Sequence, residues 1–451
     1  MMTIVRNTPA MADTAPVDPS LPETVSAAAL PTVQINGVVW AQVIVGNRVY
    51  ATGQFSQARP AGAALGTSET PRSNILAYDL TTGALITSWA PSLNAQGLRL
   101  AASADGSTIY VGGDFDQVSG QSRSRIAALD AQTGAVLPFN PGANATVEAL
   151  ALNGNTLYFG GDFTTVGTTA TGFSARTRLA AVDATTGALF PWAPAADGLV
   201  RTMAIDKHRS PTLTNAFGTS SIWAPFAGMP AAQPLHWLPT LSGGTYTGQY
   251  QAAWSVASNG DYTVEGGEFP KVNGIAQQGL VRFAKRTISP LVDPVQNYSE
   301  LTPTLTPLAP GTVRVGWKAA WDRDNQRLEV EVLRGDTTAT STVLKTFQTD
   351  TTWWNRPPLG LVDTTAPPGS TQTYRIRVTD PFGNGFAGPP ATVTIPSGSP
   401  TPSTYAATVL ADNPNSQWRL GETGGTTAYD QSGSNDLTLD GANNRNVAGA
   451  L

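Results

Sequence analysis

The sequence predicts an all-β chain built around a β-propeller of about five blades, and three observations carry that expectation. A glycine-pair turn recurs as YVGGDFDQVSG at 110–120, YFGGDFTTVGT at 158–168 and VEGGEFPKVNG at 264–274, with a weaker copy, YATGQFS, at 50–56. A second signature, an apolar strand ending in Asp and a Thr-Gly turn, recurs at 74–85, 125–136 and 178–189. Its acids Asp79, Asp130 and Asp183 stand 51 and 53 residues apart. Finally, 45 Gly and 34 Pro among 451 residues, with only 13% charged, are the composition of short strands joined by many turns.

Residues 1–31 read as a disordered tail. Ala10-Met11-Ala12 has the small-x-small form of a signal-peptidase site, but MMTIVRNT supplies no apolar run of about 7–15 residues before it. The tail is therefore expected to be at most a signal-peptide remnant, with no intact export signal. The propeller is expected over 32–290. Each glycine-pair turn follows an alternating strand closed by Asn, Asp or Gly, which tolerate positive φ in hairpins. Four short strands per roughly 50 residues is a blade's spacing. The units run 39–93, 97–142, 146–195, 199–240 and 252–286, and the fourth is damaged because no glycine-pair turn lies in its middle. Residues 31–40 are placed to supply the last unit's missing outer strand and so remove an open sheet edge.

Within this frame the repeated acids read as structural. Gly112 and Gly113 are expected to allow close backbone approach and unusual φ/ψ, Phe115 to be a buried wedge, and Asp114 to bond local backbone N–H groups. Its sister positions are Gln54, Asp162 and Glu268, and a Gln at one of them argues against a metal ligand. Asp79, Asp130 and Asp183 read as caps of their Thr-Gly turns. Among the 11 Trp, Trp89, Trp192 and Trp237 share one repeat position and are expected to pack between blades. Trp223 and Trp254 fall outside that position and are the candidate ligand-binding residues, as platforms for a sugar ring.

Residues 291–303 form a proline-punctuated linker, and 304–396 a β-sandwich whose strands alternate at 312–321, 327–336, 343–350, 373–380 and 391–396. Tyr374 is positioned like a tyrosine corner. The run DRDNQ at 322–326 suggests calcium, but with no further ligands visible it reads as a solvated turn. Residues 397–404 are a flexible linker, and 405–451 are too short and polar to hold a core alone.

Several function classes are excluded or disfavoured. The formal net charge is −5 with no basic block, so no nucleic-acid partner is expected. No run approaches the roughly 18 apolar residues of a transmembrane segment. Cysteine is absent, and His208 and His236 are the two histidines, too few for a three-His metal site. No metal and no cofactor are expected. Asp114, Asp162 and Glu268 pointing at a shared axis would be a carboxylate set for a glycoside hydrolase or lyase. As equivalent turn positions they are read instead as non-catalytic, and the chain as not an enzyme.

Three stretches carry a family resemblance: QPLHWLPTLSGGTYTGQYQAAW with GGEFPKVNG, then WDRDNQ, TTWWNRPPLG and YRIRVTDPFGN, then WRLGETGGTTAYDQSGSND. They resemble large secreted proteins of high-GC Gram-positive bacteria, the actinobacteria. In those proteins a repeat-built propeller precedes a fibronectin type III or PKD-like module and concanavalin A-like (laminin-G-like) lectin modules. The resemblance implies a fibronectin-like sandwich at 304–396 and a truncated lectin module at 405–451. It also implies an extracellular or cell-surface location and a role in adhesion or as a scaffold, with polysaccharide or a surface protein as partner. Similar modular chains occur as phage tail or fibre proteins. The chain departs from the pattern between 206 and 230, where a blade is shortened, and in the lectin module, which stops before any glycan or calcium site.

Overall fold

Short runs of β-branched and aromatic residues, each ended by an Asn-, Asp- or Gly-rich turn, pair most readily with their sequence neighbours as antiparallel hairpins. The computed structural model is accordingly all-β, a set of small antiparallel sheets. It describes residues 24–205, 211–213, 236–290, 292–399 and shorter stretches within 404–439. Most of the N-terminal tail, His208 and Trp223 lie outside the described residues. Among the described residues no helix is long and apolar enough to cross a membrane. The described residues form two compact units, one within 25–290 and one within 292–439 that also takes in 236–238.

In the first unit four three-stranded sheets share one plan, with the second strand in the middle. They comprise Val38–Val45, Arg48–Gln54 and Ile75–Asp79; Gly97–Ala102, Thr108–Gly113 and Ile126–Asp130; Val147–Asn153, Thr156–Gly161 and Leu179–Asp183; Ala253–Ser258, Tyr262–Gly267 and Leu280–Ala284. The strand starting at Val38 lies between those starting at Ala253 and Gly97. The next neighbour in the series is the strand starting at Val147, and beside it the short Met203–Ile205 and Pro211–Leu213 hairpin. The sheets thus follow one another as fourth, first, second, third.

The glycine pairs serve close approach alone. Neither Gly112 nor Gly113 has positive φ, correcting that part of the expectation. A Cβ on Gly112 would meet Val147 Cγ1 of the next sheet at 2.7 Å, and one on Gly113 would collide with the Gln96 carbonyl. The left-handed conformation falls instead just before the third strand, on Asn74 (φ 67), Arg125 (φ 70) and Arg178 (φ 66), with glycine at Gly279 in the fourth copy.

A buried side chain joins each of three successive sheets to the next. The Tyr50 hydroxyl donates to the Ala131 carbonyl at 2.6 Å, and Tyr110 to the Ala184 carbonyl at 2.9 Å. Each ring stands edge-on to an aromatic of its own repeat, Tyr50 to Trp89 and Tyr110 to Phe139, as Tyr158 does to Trp192. Trp237 does not join this set; it groups with the second unit. From the fourth sheet to the first, where Val264 takes the tyrosine position, Arg282 makes the bond. Its guanidinium donates to the Leu80 carbonyl, to Thr81 at 3.0 Å and to Pro31 at 2.5 Å, and it is 1% exposed.

The N-terminal segment pairs with the fourth sheet's last strand, as Ser26 N–H to the Ala284 carbonyl and Leu30 N–H to the Arg282 carbonyl, each at 2.9 Å. These residues precede the 31–40 stretch assigned that role from sequence. Gln34–Ile35 pairs instead with Gln57–Arg59.

Asp79, Asp130 and Asp183 repeat one geometry. Each Oδ1 accepts the Thr-Gly turn's N–H groups, at 2.7 Å from Thr82, Thr133 and Thr186, and the hydroxyls of the same threonines. These bonds hold the Asp130 and Asp183 carboxyls below their ordinary pKa.

The second unit has a three-stranded sheet, Thr304–Ala309, Thr312–Lys318 and Pro358–Asp363, and a five-stranded one centred on Arg327–Arg334 and Thr371–Thr379. Val313, Val315 and Trp317 from the first share a core with Leu328, Val330, Tyr374 and Ile376 from the second. Tyr374 is buried like a tyrosine corner, but its hydroxyl donates to a side chain, Asp363 Oδ2 at 2.8 Å, which also receives Arg334.

Two predictions follow from these contacts. Arg282→Met should destabilise the first unit by about 3 kcal/mol in urea unfolding and Tyr50→Phe by about 1 kcal/mol, because the arginine satisfies several buried carbonyls; equal losses would contradict the assigned roles. Glu265, 2% exposed, has its carboxyl pushed up to about 7 by burial and an unpartnered Oε2. Native Glu265 holds its proton where the unfolded chain, near 4.5, has lost it, so stability falls as pH rises from about 4.5 to 7. Glu265→Gln should therefore stabilise the unit more at pH 8 than at pH 4, and a pH-independent effect would count against a buried acid.

Candidate functional site

The glycine pairs build a second repeated feature. Opposite each pair, and opposite Thr52-Gly53 in the first sheet, the first strand carries one extra residue, a β-bulge: Leu98, Glu148 and Trp254, and Trp40. A bulge bends its strand and re-aims the side chain it carries. Four bulges at one repeat position collect these side chains at one end of the sheets.

Trp40 and Trp254 meet edge to face, with ring centroids 5.0 Å apart, and both are half-buried. Behind each lies a carboxylate from a glycine-pair turn. Trp254 Nε1 donates to Glu268 Oε1 at 3.4 Å, and Thr247 reinforces that carboxylate through its N–H at 2.8 Å and its hydroxyl at 2.6 Å. Trp40 Nε1 donates to Gln96 Oε1 at 3.0 Å, and Gln96 Nε2 donates to Asp114 Oδ2 at 2.7 Å. The loop bearing Thr247 presents Tyr246, 49% exposed, and Tyr250, 74% exposed.

Asp114 differs from its expected role. Its carboxylate accepts the side chains of Gln96 and of Thr146 from the next repeat, not local backbone N–H groups, while Arg125 bonds its carbonyl. Asp162 is exposed and faces Arg178 Nε at 3.4 Å. Phe55, Phe115, Phe163 and Phe269 of the same turns are buried.

Glu148 adds charge to this end. Arg201 lies 3.7 Å away, and burial raises the glutamate's pKa against the pull of Arg201 and Arg99, with Asp114 and Asp162 raising it further. A carboxylate, Glu268, and an amide, Gln96, therefore border the aromatic pair directly, and Glu148 with Arg201 stands at the third sheet's equivalent bulge.

The structure thus brings Trp254, Glu268 and Asp114 to one end, and Asp79, Asp130 and Asp183 cap a different set of turns. Sequence reasoning passed over Trp40, Glu148, Tyr246 and Tyr250. The signal for the first two was available: aligning the repeats on their turn glycines puts Trp40, Glu148 and Trp254 in one column, 13 residues before Gly53, Gly161 and Gly267. A cavity of about 400 Å³ lies between Arg48, Tyr50, Asp105 and Asp130. Arg48 there is committed to the Ala131 and Gln132 carbonyls, so this cavity reads as a gap between adjacent sheets.

No protein-family model matches the chain, and no curated protein matches it. Among solved structures it is similar to a computationally designed protein, Ika8, at 12% identity over 81% of this chain and 99% of that one, with a TM-score of 0.29. It is also similar to the FN5 domain of Drosophila Lar, at 14% identity over 24% of this chain and 100% of that one, with a TM-score of 0.15. A chain of the mitotic checkpoint complex aligns at 12% identity over 48% of this chain and 95% of that one, with a TM-score of 0.22. Similarities this low carry no argument about function.

Proposed function

We propose that this is a non-catalytic recognition and scaffold protein of the cell surface or extracellular space, and that its aromatic bulge end binds polysaccharide. The first unit is a β-propeller of about five blades, interrupted in the fourth. The second is a fibronectin-like spacer that leads into the opening of a lectin-like module. The propeller reading is supported by the four like sheets in succession, and the location by the family resemblance.

One observation carries the ligand class: Trp40 and Trp254 pair at equivalent bulges beside the exposed Tyr246 and Tyr250. A sugar offers an apolar C–H face and a rim of hydroxyls. Aromatic rings bordered by a few fixed polar groups complement both. Gln96 and Glu268, which accept the two indole N–H groups, and Gln42 bonded to Ser255 on the same two strands are the polar groups at the pair. The non-catalytic reading is supported by the occupation of the turn acids. Both Asp114 oxygens and both Glu268 oxygens accept hydrogen bonds that hold the turns together.

The full chain on a glycan array, followed by titration with soluble polysaccharides, tests this. Saturable binding should weaken about tenfold in Trp254→Ala and in Tyr250→Ala, the usual scale for losing an aromatic contact. Trp223→Ala, at the other candidate position, serves as a comparison. Binding unchanged in the folded variants, or none by the folded wild type, would overturn the polysaccharide site. Glycan cleavage abolished by Glu268→Gln would overturn the non-catalytic reading.

A further inference from the structure

Both indole N–H groups of the bulge pair are spent on the protein. Trp40 Nε1 donates to Gln96 and Trp254 Nε1 to Glu268, so what the two half-buried rings offer a ligand is carbon. The polar side chains at the pair are held in the same way. Gln96 gives its amide nitrogen to Asp114 Oδ2 at 2.7 Å. Gln42 donates to the Ser255 hydroxyl at 3.2 Å and accepts from the Tyr78 hydroxyl at 3.0 Å. Glu268, 3% exposed, has both oxygens on Thr247. The groups that would read a sugar hydroxyl by hydroxyl are engaged with one another.

This arrangement decides which sugars fit. Stacking a pyranose ring on an aromatic face strips water from everything on the stacked side. An axial hydroxyl there is pressed against carbon, and a polar group buried without a partner is costly. A ring whose substituents are all equatorial avoids that cost, because its faces carry axial C–H groups and its hydroxyls lie around the rim. A β-1,4 linkage between such rings keeps the bridging oxygens equatorial too. It also turns successive rings over, so both faces must be apolar for neighbouring rings to stack on one surface. An α linkage puts the bridging oxygen axial.

A second observation points to a chain of rings and not a single sugar. The carboxylate that anchors Trp254 also anchors, through Thr247, the loop bearing Tyr246 and Tyr250. Tyr250 is 74% exposed with φ 57, a left-handed conformation that a bulky residue keeps where its surroundings impose it. The loop is closed by the Gly244 N–H on the Gln251 carbonyl at 2.7 Å. A Cβ on Gly244 would meet the Glu268 carbonyl oxygen at 2.1 Å, so the loop lies directly on that turn. Its tyrosines form a second aromatic surface, tied to the first through Glu268.

Resting on the reading of the bulge end as a polysaccharide site, we propose that its ligand is a chain of β-1,4-linked pyranose rings with every substituent equatorial. The chain lies across the Trp40–Trp254 pair and the tyrosine loop and is recognised by its apolar faces. Its equatorial hydroxyls stay at the rim, in water. Specificity here comes from what the site leaves unpaired in the wrong sugar, and less from what it bonds in the right one.

The test is calorimetric titration of the full chain with four hexasaccharides. Cellohexaose and chitohexaose meet the requirement, whereas maltohexaose and β-1,4-mannohexaose place one oxygen of each ring axial. At least one of the first two should bind about tenfold or more tighter than either of the others, and tighter than its own disaccharide. Trp254→Ala should erase the preference, with Trp254→Leu in its place should that variant fail to fold. Tyr250→Ala, at an exposed position, should erase the advantage of hexasaccharide over disaccharide. Equal affinities for all four, or a preference for an axial oxygen, with binding still lost in Trp254→Ala, would overturn the proposal and leave the polysaccharide site standing. No binding of any of the four, where another polysaccharide binds and depends on Trp254, would do the same. Binding that ignores both Trp254 and Tyr250 would overturn the site and the proposal together.

Discussion

A single backbone carbonyl, the one just after each sheet's turn Asp, is the point on which the first unit depends. Ala131, Ala184 and Leu80 each present that carbonyl, and each receives a donor from the preceding sheet: Tyr50, Tyr110 or Arg282. Small three-stranded sheets are marginal alone, since each exposes two faces and two edges. A buried donor directed at a buried acceptor sets the spacing between sheets, because either group left unpaired would cost about 1–3 kcal/mol. The Asp cap beside the carbonyl keeps its turn in place. The aromatic edge contact keeps the tyrosine in place. Where the fourth repeat lacks the tyrosine, the arginine reaches the same acceptor and also binds the N-terminal segment.

This arrangement leaves the opposite side of each glycine pair free for a different use. The pair lets a neighbouring strand come within contact distance, and the strand responds with a bulge. A residue at a bulge is released from the alternation that governs the rest of the strand. Leu98 uses that freedom for little. Trp40, Trp254 and Glu148 use it to form an aromatic and charged end. Architecture and candidate function therefore come from the two sides of one motif.

Much of this was legible in the chain. The period, the Thr-Gly caps and the buried phenylalanines follow from residue types whose preferences are local: Asp before a turn, Gly where a side chain would collide. What was not legible depends on contacts across repeats. Asp114 was read as a local cap because its sequence neighbours are turn residues, whereas Gln96 and Thr146 approach it only once the sheets stack. The turn at 322–326 was read as solvated because no further calcium ligands are visible around it in the sequence, yet Asp322, Asp324 and Asn325 are buried, and burial by distant strands is invisible to composition. Trp237 matched the repeat pattern and yet groups with the other unit. Segment 26–30 pairs where 31–40 was expected, because strand register is set by partners and one register looks much like the next.

The claim on which the functional account rests is that the bulge end is the face that meets a ligand. Hydrogen–deuterium exchange of the full chain, with and without a bound polysaccharide, tests it most directly. The account predicts slowed exchange confined to the Trp40 and Trp254 bulges and to the loop carrying Tyr246 and Tyr250. Protection centred instead on the Thr-Gly turns at Asp79, Asp130 and Asp183, or on the second unit alone, would contradict it.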